Sequence, residues 1–375
     1  MNPARHCCLS TSLRARYDVA QHIEEEALLS IVEQRRSSEY GNSPHYGIFN
    51  LLRKFECSKI LSPMPKVSVI VPVYKVEKYI ERCCRSLFGQ TLDDVEYIFV
   101  NDCTPDASMD ILQRTLEDYP ERLPQVKIIN MPVNSGQAKV RKVGIEAATG
   151  DYVIHCDSDD WVERTMYERM YRKAEEESLD MVLCGCFQET ATGDNDVIHI
   201  NIPPDSSTLE QLMIGNLHGY LWSKLVKREI YSNMDAFPQE NMCEDLALSI
   251  CLAYHCASFG IIDEPMYHYC YNGESISKRK RGETLLVQGS QNLLFAENHL
   301  RSHGAQTKYG RQLRHLKDIL ILSSFNTDWH TYIKLCGPLT FSVLTNPFLS
   351  LDKKLGHITK CLGIHGISKL FGRSK

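Results

Sequence analysis

The chain contains no Cys-X-X-Cys pair, no long uninterrupted apolar run and no strong excess of charge of either sign. The first absence bears on its 15 cysteines, which are odd in number and scattered. The adjacent pairs Cys7-Cys8 and Cys83-Cys84 lack zinc-finger spacing. Others sit inside apolar runs such as Met181-Val182-Leu183-Cys184-Gly185-Cys186. They read as reduced, mostly buried small apolar residues of a cytosolic protein. The second absence excludes a membrane-spanning helix, which needs roughly 20 apolar residues. The opening His6-Cys7-Cys8-Leu9 likewise lacks the apolar core of a secretion signal. A net charge of −5 gives no support for a nucleic-acid partner. What remains, with 43% hydrophobic and 24% charged residues, is the composition of a soluble globular protein.

Residues 1–65 are polar and mixed, with one helical pattern over 18–35 in which Ile23, Ala27, Leu28 and Ile31 share a face. The segment ends at the linker-like Ser62-Pro63-Met64-Pro65. Met64 directly precedes the first strong strand. Residues 1–65 are expected as an N-terminal extension outside the native fold, and one reading is that translation starts at Met64, with the residues before it a misassigned extension.

From Val67 the pattern becomes regular. Val67 to Tyr74 is a β-rich apolar run, expected as a buried strand. Tyr79-Ile80, Cys83-Cys84 and Leu87-Phe88 recur at helical spacing, and Val95 to Val100 makes a second strand ending at Asn101-Asp102. Thr104-Pro105-Asp106 looks like a helix start, with Thr104 as N-cap and Pro105 in the first turn. Val126 to Ile129 is a third strand, Ala138 to Ala148 a third helix ended by Gly150, and Tyr152 to Cys156 a fourth strand. This alternation predicts an α/β fold with a mainly parallel, doubly wound sheet. Ligands of such sheets sit beyond the carboxyl ends of the strands. That rule selects Pro72 to Tyr74, Asn101 to Asp106 and Asp157 to Asp160.

Asp157-Ser158-Asp159-Asp160-Trp161 carries the strongest local signal. Three carboxylates within four residues repel one another unless a cation compensates. On extended chain Asp157 and Asp159 point to one side, and hard carboxylate oxygens suit Mg²⁺ or Mn²⁺. A solvated acidic turn is the plainer reading, and placement after an apolar strand favours the metal. Asp102 ends a strand where an acidic group reads a nucleotide's base or ribose, yet it serves equally well as a turn residue. The turn Asn134-Ser135-Gly136 permits close approach of a ligand, and Arg141 on the next helix is suited to phosphate or to an acidic neighbour. An ordinary surface arginine is the alternative.

Together these segments resemble the family 2 glycosyltransferases of the GT-A fold. The resemblance rests on Val67 to Tyr74, Val100-Asn101-Asp102-Cys103-Thr104-Pro105-Asp106, Asn134 to Gly144, and Thr149-Gly150-Asp151-Tyr152 through Trp161. It continues more weakly through Trp222-Ser223-Lys224-Leu225 and Glu244-Asp245 to about Ser277. It implies a nucleotide-binding half and an acceptor half within a catalytic domain over 66–277, followed by a helical C-terminal region over 278–375. It further implies that Pro72, Tyr74 and Asp102 line the nucleotide pocket, with Asp102 on the base. Asp157 and Ser158 lie in the donor-binding motif, Asp157 on the ribose side, and Arg141 joins the nucleotide-sugar site. Asp159 holds the metal on the diphosphate, with His268 near the metal or diphosphate, and Asp245 is the general base. Cys103, Pro105 and Lys142 depart from the family pattern, which leaves the donor-loop geometry and the identity of the sugar open. The implied activity is an inverting, hexosyltransferase-type transfer from a nucleotide diphosphate sugar, most simply a UDP-sugar. The acceptor is a sugar or lipid-linked saccharide hydroxyl in surface-polysaccharide synthesis.

The first strand runs into Pro72-Val73-Tyr74-Lys75-Val76-Glu77 without a glycine, which disfavours a sugar-phosphate nucleotidyltransferase and a dinucleotide-dependent dehydrogenase. A non-catalytic nucleotide-sugar-binding protein is the rival from another class, and Asp102, Asp157, Asp159 and Asp245 argue against it. Ser277-Lys278-Arg279-Lys280-Arg281 fits a diphosphate contact, an anionic membrane surface or a solvated loop. Leu351, Leu355, Ile358 and Leu362 share a helical face beside Lys353, Lys354 and Lys360, and Ile367, Leu370 and Phe371 follow. A membrane-surface helix at the inner face of the cell membrane and a helix packed on the catalytic domain are both open. No long apolar run follows the catalytic region, against a processive enzyme with its own channel.

Overall fold

The structure is a computed structural model, and it describes residues 64–203, 206–273, 283–323, 332–333 and 340–362. The helical pattern at 18–35, the basic run at 277–281 and the apolar residues Ile367, Leu370 and Phe371 lie outside the described residues.

Four strands build the first half of the sheet: β1 (Val67–Val73), β2 (Val95–Asn101), β3 (Val126–Asn130) and β4 (Tyr152–His155). All pair in parallel, with β1 between β2 and β4 and β3 outside β2. Their crossovers are α1 (Ile80–Phe88), α2 (Ser108–Glu117) and α3 (Gln137–Ala147). In β1, alternate residues enter two cores. Val69 and Val71 pack with Ile80, Cys83 and Leu112, while Ile70 packs with Val140 and Ile145 of α3. Burial on both faces is why this strand is an almost unbroken apolar run. A Cβ on Gly144 would lie 2.4 Å from Ile70 Cγ2, so α3 sits as close to β1 as glycine allows.

The second half departs from the parallel expectation. After β5 (Trp161–Val162) and α4 (Met166–Glu176) come β6 (Met181–Glu189), β7 (Asn195–Ile198), α5 (Thr208–Ile214), β8 (Lys224–Lys227), α6 (Arg228–Tyr231), α7 (Glu244–His255) and β9 (Phe259–Tyr269). The strand order is β3-β2-β1-β4-β8-β6-β9-β5, with β7 beside β6. Here β8 is antiparallel to both β4 and β6, β5 is antiparallel to β9, and β6 runs parallel to β9. The sheet is therefore parallel in one half and mixed in the other.

The start of α2 also differs from expectation. Thr104 does not cap it; Thr104 and Asp106 hold the loop after β1, and Asp106 Oδ1 also accepts from the Ser108 N–H at 3.3 Å. Thr104 Oγ1 accepts from the Lys75 N–H at 2.8 Å, and Asp106 Oδ2 from the Glu77 N–H at 3.1 Å. Asp106 also accepts from Ser108 Oγ at 2.7 Å. These side chains offer the backbone an alternative to helix, so α2 begins only at Ser108.

Helices α8 (Glu283–Ser302), α9 (Gln306–Ser323), α10 (Thr340–Thr345) and α11 (Leu351–Cys361) follow. Leu293, Ala296, Leu300, Leu313 and Leu316 share one core with Leu248 and Ile250 of α7. Among the described residues no helix is long and apolar enough to cross a membrane. Among the described residues seven cysteines, including Cys83, Cys156 and Cys184, are buried and free, as their apolar settings predict.

Candidate active site

The loops beyond β1, β2 and β4 meet at one edge of the sheet. Asp102 is buried there, and its carboxylate is held by the turn before α3. It accepts from the backbone N–H of Ser135 at 2.6 Å and of Gly136 at 2.9 Å, and from Asn134 Nδ2 at 3.1 Å. Gly136 adopts φ +86°, and a Cβ there would lie 2.4 Å from Asn241 Nδ2. The close approach that this turn permits is thus made by Asn241, whose Oδ1 also accepts from the Ala138 N–H at 3.1 Å. Tyr74 is 39% exposed at the mouth, and Pro72 offers its carbonyl to Ser158 Oγ at 2.6 Å.

The acidic loop after β4 divides its carboxylates between two tasks. Asp160 is buried and fastens the loop to β9: it accepts from Tyr267 Oη at 2.7 Å and from the Cys270 N–H at 2.7 Å. Tyr267 Oη in turn accepts from the Asp157 N–H at 3.0 Å. Asp157 and Asp159 remain partly exposed. Asp159 accepts from Asn272 Nδ2 at 2.9 Å, and burial, then the charge of Asp157, holds its carboxyl above the usual carboxylate range. Such a pair has the donor chemistry of a hard divalent cation site.

Arg141 joins this loop to the start of α7. Its Nη2 donates to Asp157 Oδ1 at 2.7 Å, and its Nε stands 3.6 Å from Glu244 Oε1. The guanidinium is buried, and among the described residues neither Nε nor Nη1 has a hydrogen-bond partner. Burial alone would lower its pKa, but Asp157, Glu244 and Asp245 reverse that and raise it. Glu244 is buried and pushed up to about 8, by burial first and then by Asp245. Asp245 is half-buried, with Oδ1 accepting from the Leu246 N–H at 2.7 Å. Burial raises its pKa, against the opposing effects of that hydrogen bond, Arg141 and Lys224. Lys224 is buried, donates to the carbonyls of His218 at 2.7 Å and Tyr220 at 2.6 Å, and is lowered by burial to about 7.

His268 lies on β9 with Nε2 2.7 Å from Glu163 Oε1. Its ring is stacked between Trp161, 3.3 Å away, and Phe187, 4.6 Å away. Burial lowers its pKa, partly offset by Glu163. Beside it runs an aromatic series in which Trp222 stacks on Tyr267 at 4.1 Å, Tyr220 on Trp222 at 4.8 Å, and His218 on Tyr220 at 5.1 Å. The geometry therefore joins Arg141 to Asp157 and to Glu244-Asp245, and gives His268 to Glu163. Glu244, Lys224, Tyr267 and Asn272 had no assigned role in the sequence. Glu244 carried a local signal in its position beside Asp245, and Lys224 in the segment Trp222-Ser223-Lys224-Leu225.

The segment bearing these groups matches the family described as Glycosyl transferase family 2 over residues 68–234. Residues 68–234 are a family 2 glycosyltransferase domain. EpsH of Bacillus subtilis, a glycosyltransferase by name, is 36% identical over 224 residues, covering 57% of this chain and 63% of EpsH. The chain spans somewhat under two thirds of the curated relatives EpsH and EpsJ. The poly(ribitol-phosphate) beta-glucosyltransferase of Bacillus spizizenii is 36% identical over 121 residues, 32% of this chain and 18% of that protein. Among solved structures, TarS of S. aureus superposes with a TM-score of 0.58 at 17% identity, over 81% of this chain and 55% of TarS. Its 1–349 portion in complex with UDP-GlcNAc gives 0.53 at 17% identity, over 80% of this chain and 92% of that one. At such identity the likeness speaks for the fold alone: this family 2 domain has the GT-A fold.

Proposed function

We propose that the domain transfers a sugar from a UDP-sugar to a hydroxyl of a saccharide or lipid-linked saccharide. The transfer proceeds with inversion, in surface-polysaccharide assembly at the cytoplasmic face of the membrane. One observation carries this reading: the buried Arg141 is bonded to Asp157 on the donor side and faces Glu244-Asp245 on the other. Donor-binding and proton-accepting groups thus answer to one fixed cation. The UDP-GlcNAc complex of the structurally similar TarS supports a UDP-sugar donor, and the poly(ribitol-phosphate) beta-glucosyltransferase supports a polymeric acceptor.

Pro72, Tyr74, Asp102 and Ser158 shape the nucleotide pocket, Asp102 through the Asn134 to Gly136 turn that it anchors. Asp159, with Asp157 beside it, would hold Mg²⁺ or Mn²⁺. The fit rests on two adjoining carboxylates, one of them raised by burial and by the other's charge. When bound, the ion neutralises charge developing on the leaving diphosphate. His268 could serve that ion through Nε2 only by giving up Glu163, so the carboxylates take this role. Arg141 Nη1, a buried donor without a partner among the described residues, suits a diphosphate or sugar oxygen.

Asp245 is the general base. Its Oδ1 is engaged by Leu246, which leaves the second oxygen for the acceptor hydroxyl, and its raised pKa makes it a stronger base than an exposed aspartate. Such a base contributes a factor of about 10²–10⁴. Attack from the side opposite the diphosphate inverts the anomeric carbon. The half-buried Tyr220 and the exposed His218, stacked beyond Trp222, offer flat faces to an acceptor sugar.

At the far end of the chain, Leu351 and Leu362 are 70% and 66% exposed, as is Phe341 at 78%. With Lys353, Lys354 and Lys360 on the same helix, this surface favours an anionic membrane over packing on the domain. The reading as a whole is tested by incubating the protein with UDP-sugars, Mg²⁺ or Mn²⁺ and saccharide acceptors, and assigning product anomers by NMR. An inverted product supports it, a retained anomer overturns the mechanism, and donor binding without transfer to any acceptor favours the non-catalytic alternative.

A further inference from the structure

We propose that His255, His299 and His303 form a transition-metal site, taking Zn²⁺ or a similar ion, that clamps α8 to the helix bearing Asp245. His255 is the last residue of α7; His299 lies in the last turn of α8 and His303 one residue past its end, four apart, the spacing that brings two imidazoles to one side. One ligand nitrogen from each lies within 4.8 Å of the others, the one such group of three among the described residues.

The rings are set for convergence and not for stacking. His255 meets His299 at 72° and His303 at 83°, with centroids 5.1 Å apart in both cases. The Nε2 atoms of His255 and His299 face each other at 2.9 Å. One of them must carry the bridging proton. A cation between the two replaces that proton, which moves to Nδ1 of the same ring, and the nitrogens separate to the ~3.3 Å that Zn–N bonds of about 2.0–2.1 Å require. His303 Nδ1 donates to the His299 carbonyl at 2.8 Å, so its Nε2 is left as the lone pair. A backbone carbonyl on the second nitrogen is the usual support of a ligating histidine.

The surroundings suit a cation. The site lies at the carboxyl ends of two helices, where the backbone presents negative partial charge. The charge of Asp235 also acts on His255 and His299. His303 is exposed, which leaves an entry path and room for water as the fourth ligand, while His299 is buried. Tyr254 Oη donates to the His303 carbonyl at 3.2 Å and walls one side.

The test is calorimetric titration of the full chain with ZnCl₂ in excess Mg²⁺, which fills hard oxygen sites, alongside His303→Ala and His255→Ala. One Zn²⁺ per wild-type chain is expected, weakened at least about tenfold in each variant. Zn²⁺ should raise the melting temperature of wild type and not of His303→Ala, whose exposed position leaves folding intact without metal. Co²⁺ in place of Zn²⁺ should give ligand-field bands without thiolate charge transfer, because no cysteine belongs to the site. Absent binding, equal binding in His303→Ala, or a thiolate signature would overturn the proposal.

Discussion

Arg141 Nη2 and Asp157 Oδ1 stand 2.7 Å apart, the arginine buried and the aspartate partly open to solvent. The arginine comes from a crossover helix and the aspartate from the loop after β4, and Glu244 reaches the same guanidinium from α7. Arg141 is therefore a structural keystone as well as a donor-site residue. The same position that suits it to substrate makes it costly to remove.

Replacing Arg141 with methionine leaves Glu244 and Asp157 without their cation. A loss of about 1–3 kcal/mol is expected, less than for a fully buried ion pair because Asp157 is partly open to solvent. Urea unfolding followed by circular dichroism measures it, and a loss below about 1 kcal/mol would mean that the pair is not buried in solution.

Glu244 gives stability a pH dependence of defined sign. Its carboxyl sits at about 8 in the fold against an ordinary 4.5, so the folded chain binds the proton more tightly. The contribution is full below the ordinary value and is lost as pH rises through about 8. Lys224, lowered from 10.5 to about 7, acts oppositely, since stability from keeping it neutral grows as pH rises from about 7 to 10.5. Glu244→Gln should flatten the fall in urea midpoint between about pH 5 and 8. An unchanged slope would remove Glu244 as its source.

The exposed leucines of α11 bear on location. Leu351→Ser with Leu355→Ser should reduce partition onto anionic vesicles by roughly tenfold or more, since burying one leucine is worth about 1.5–3 kcal/mol. Salt should weaken wild-type binding through Lys353, Lys354 and Lys360. Equal sedimentation of the double variant would return α11 to an ordinary surface helix.

Much of the nucleotide half was legible because its signals are local. β1 is apolar on both faces and bounded by polar turns, so its type and nearly its ends could be read. The start of α2 was misread because Thr104 resembles a cap, and only its tertiary contact with Lys75 reveals its other use. The mixed half was illegible for a different reason. The pairing of β8 with β4 and β6 is a long-range choice that alternation of elements does not encode. The same holds for the site: Asp159 and Asp245 stand in recognisable motifs, whereas Glu244 at Arg141, Asn272 at Asp159 and Tyr267 at Asp160 are partners only in space. Asp102 was open between a nucleotide role and a turn role, and its contacts show it holding a turn.

The central claim is that Asp245 takes the acceptor proton while Asp159 serves the donor. UDP release from a panel of UDP-sugars, with Mg²⁺ or Mn²⁺ and acceptor present, should be measured for wild type, Asp245→Asn and Asp159→Ala, with donor binding followed by calorimetry. Asp245→Asn should bind donor as wild type does and lose about 10²–10⁴ in turnover. Asp159→Ala should lose the metal-dependent part of donor binding as well. Turnover at the wild-type rate in Asp245→Asn would contradict the assignment.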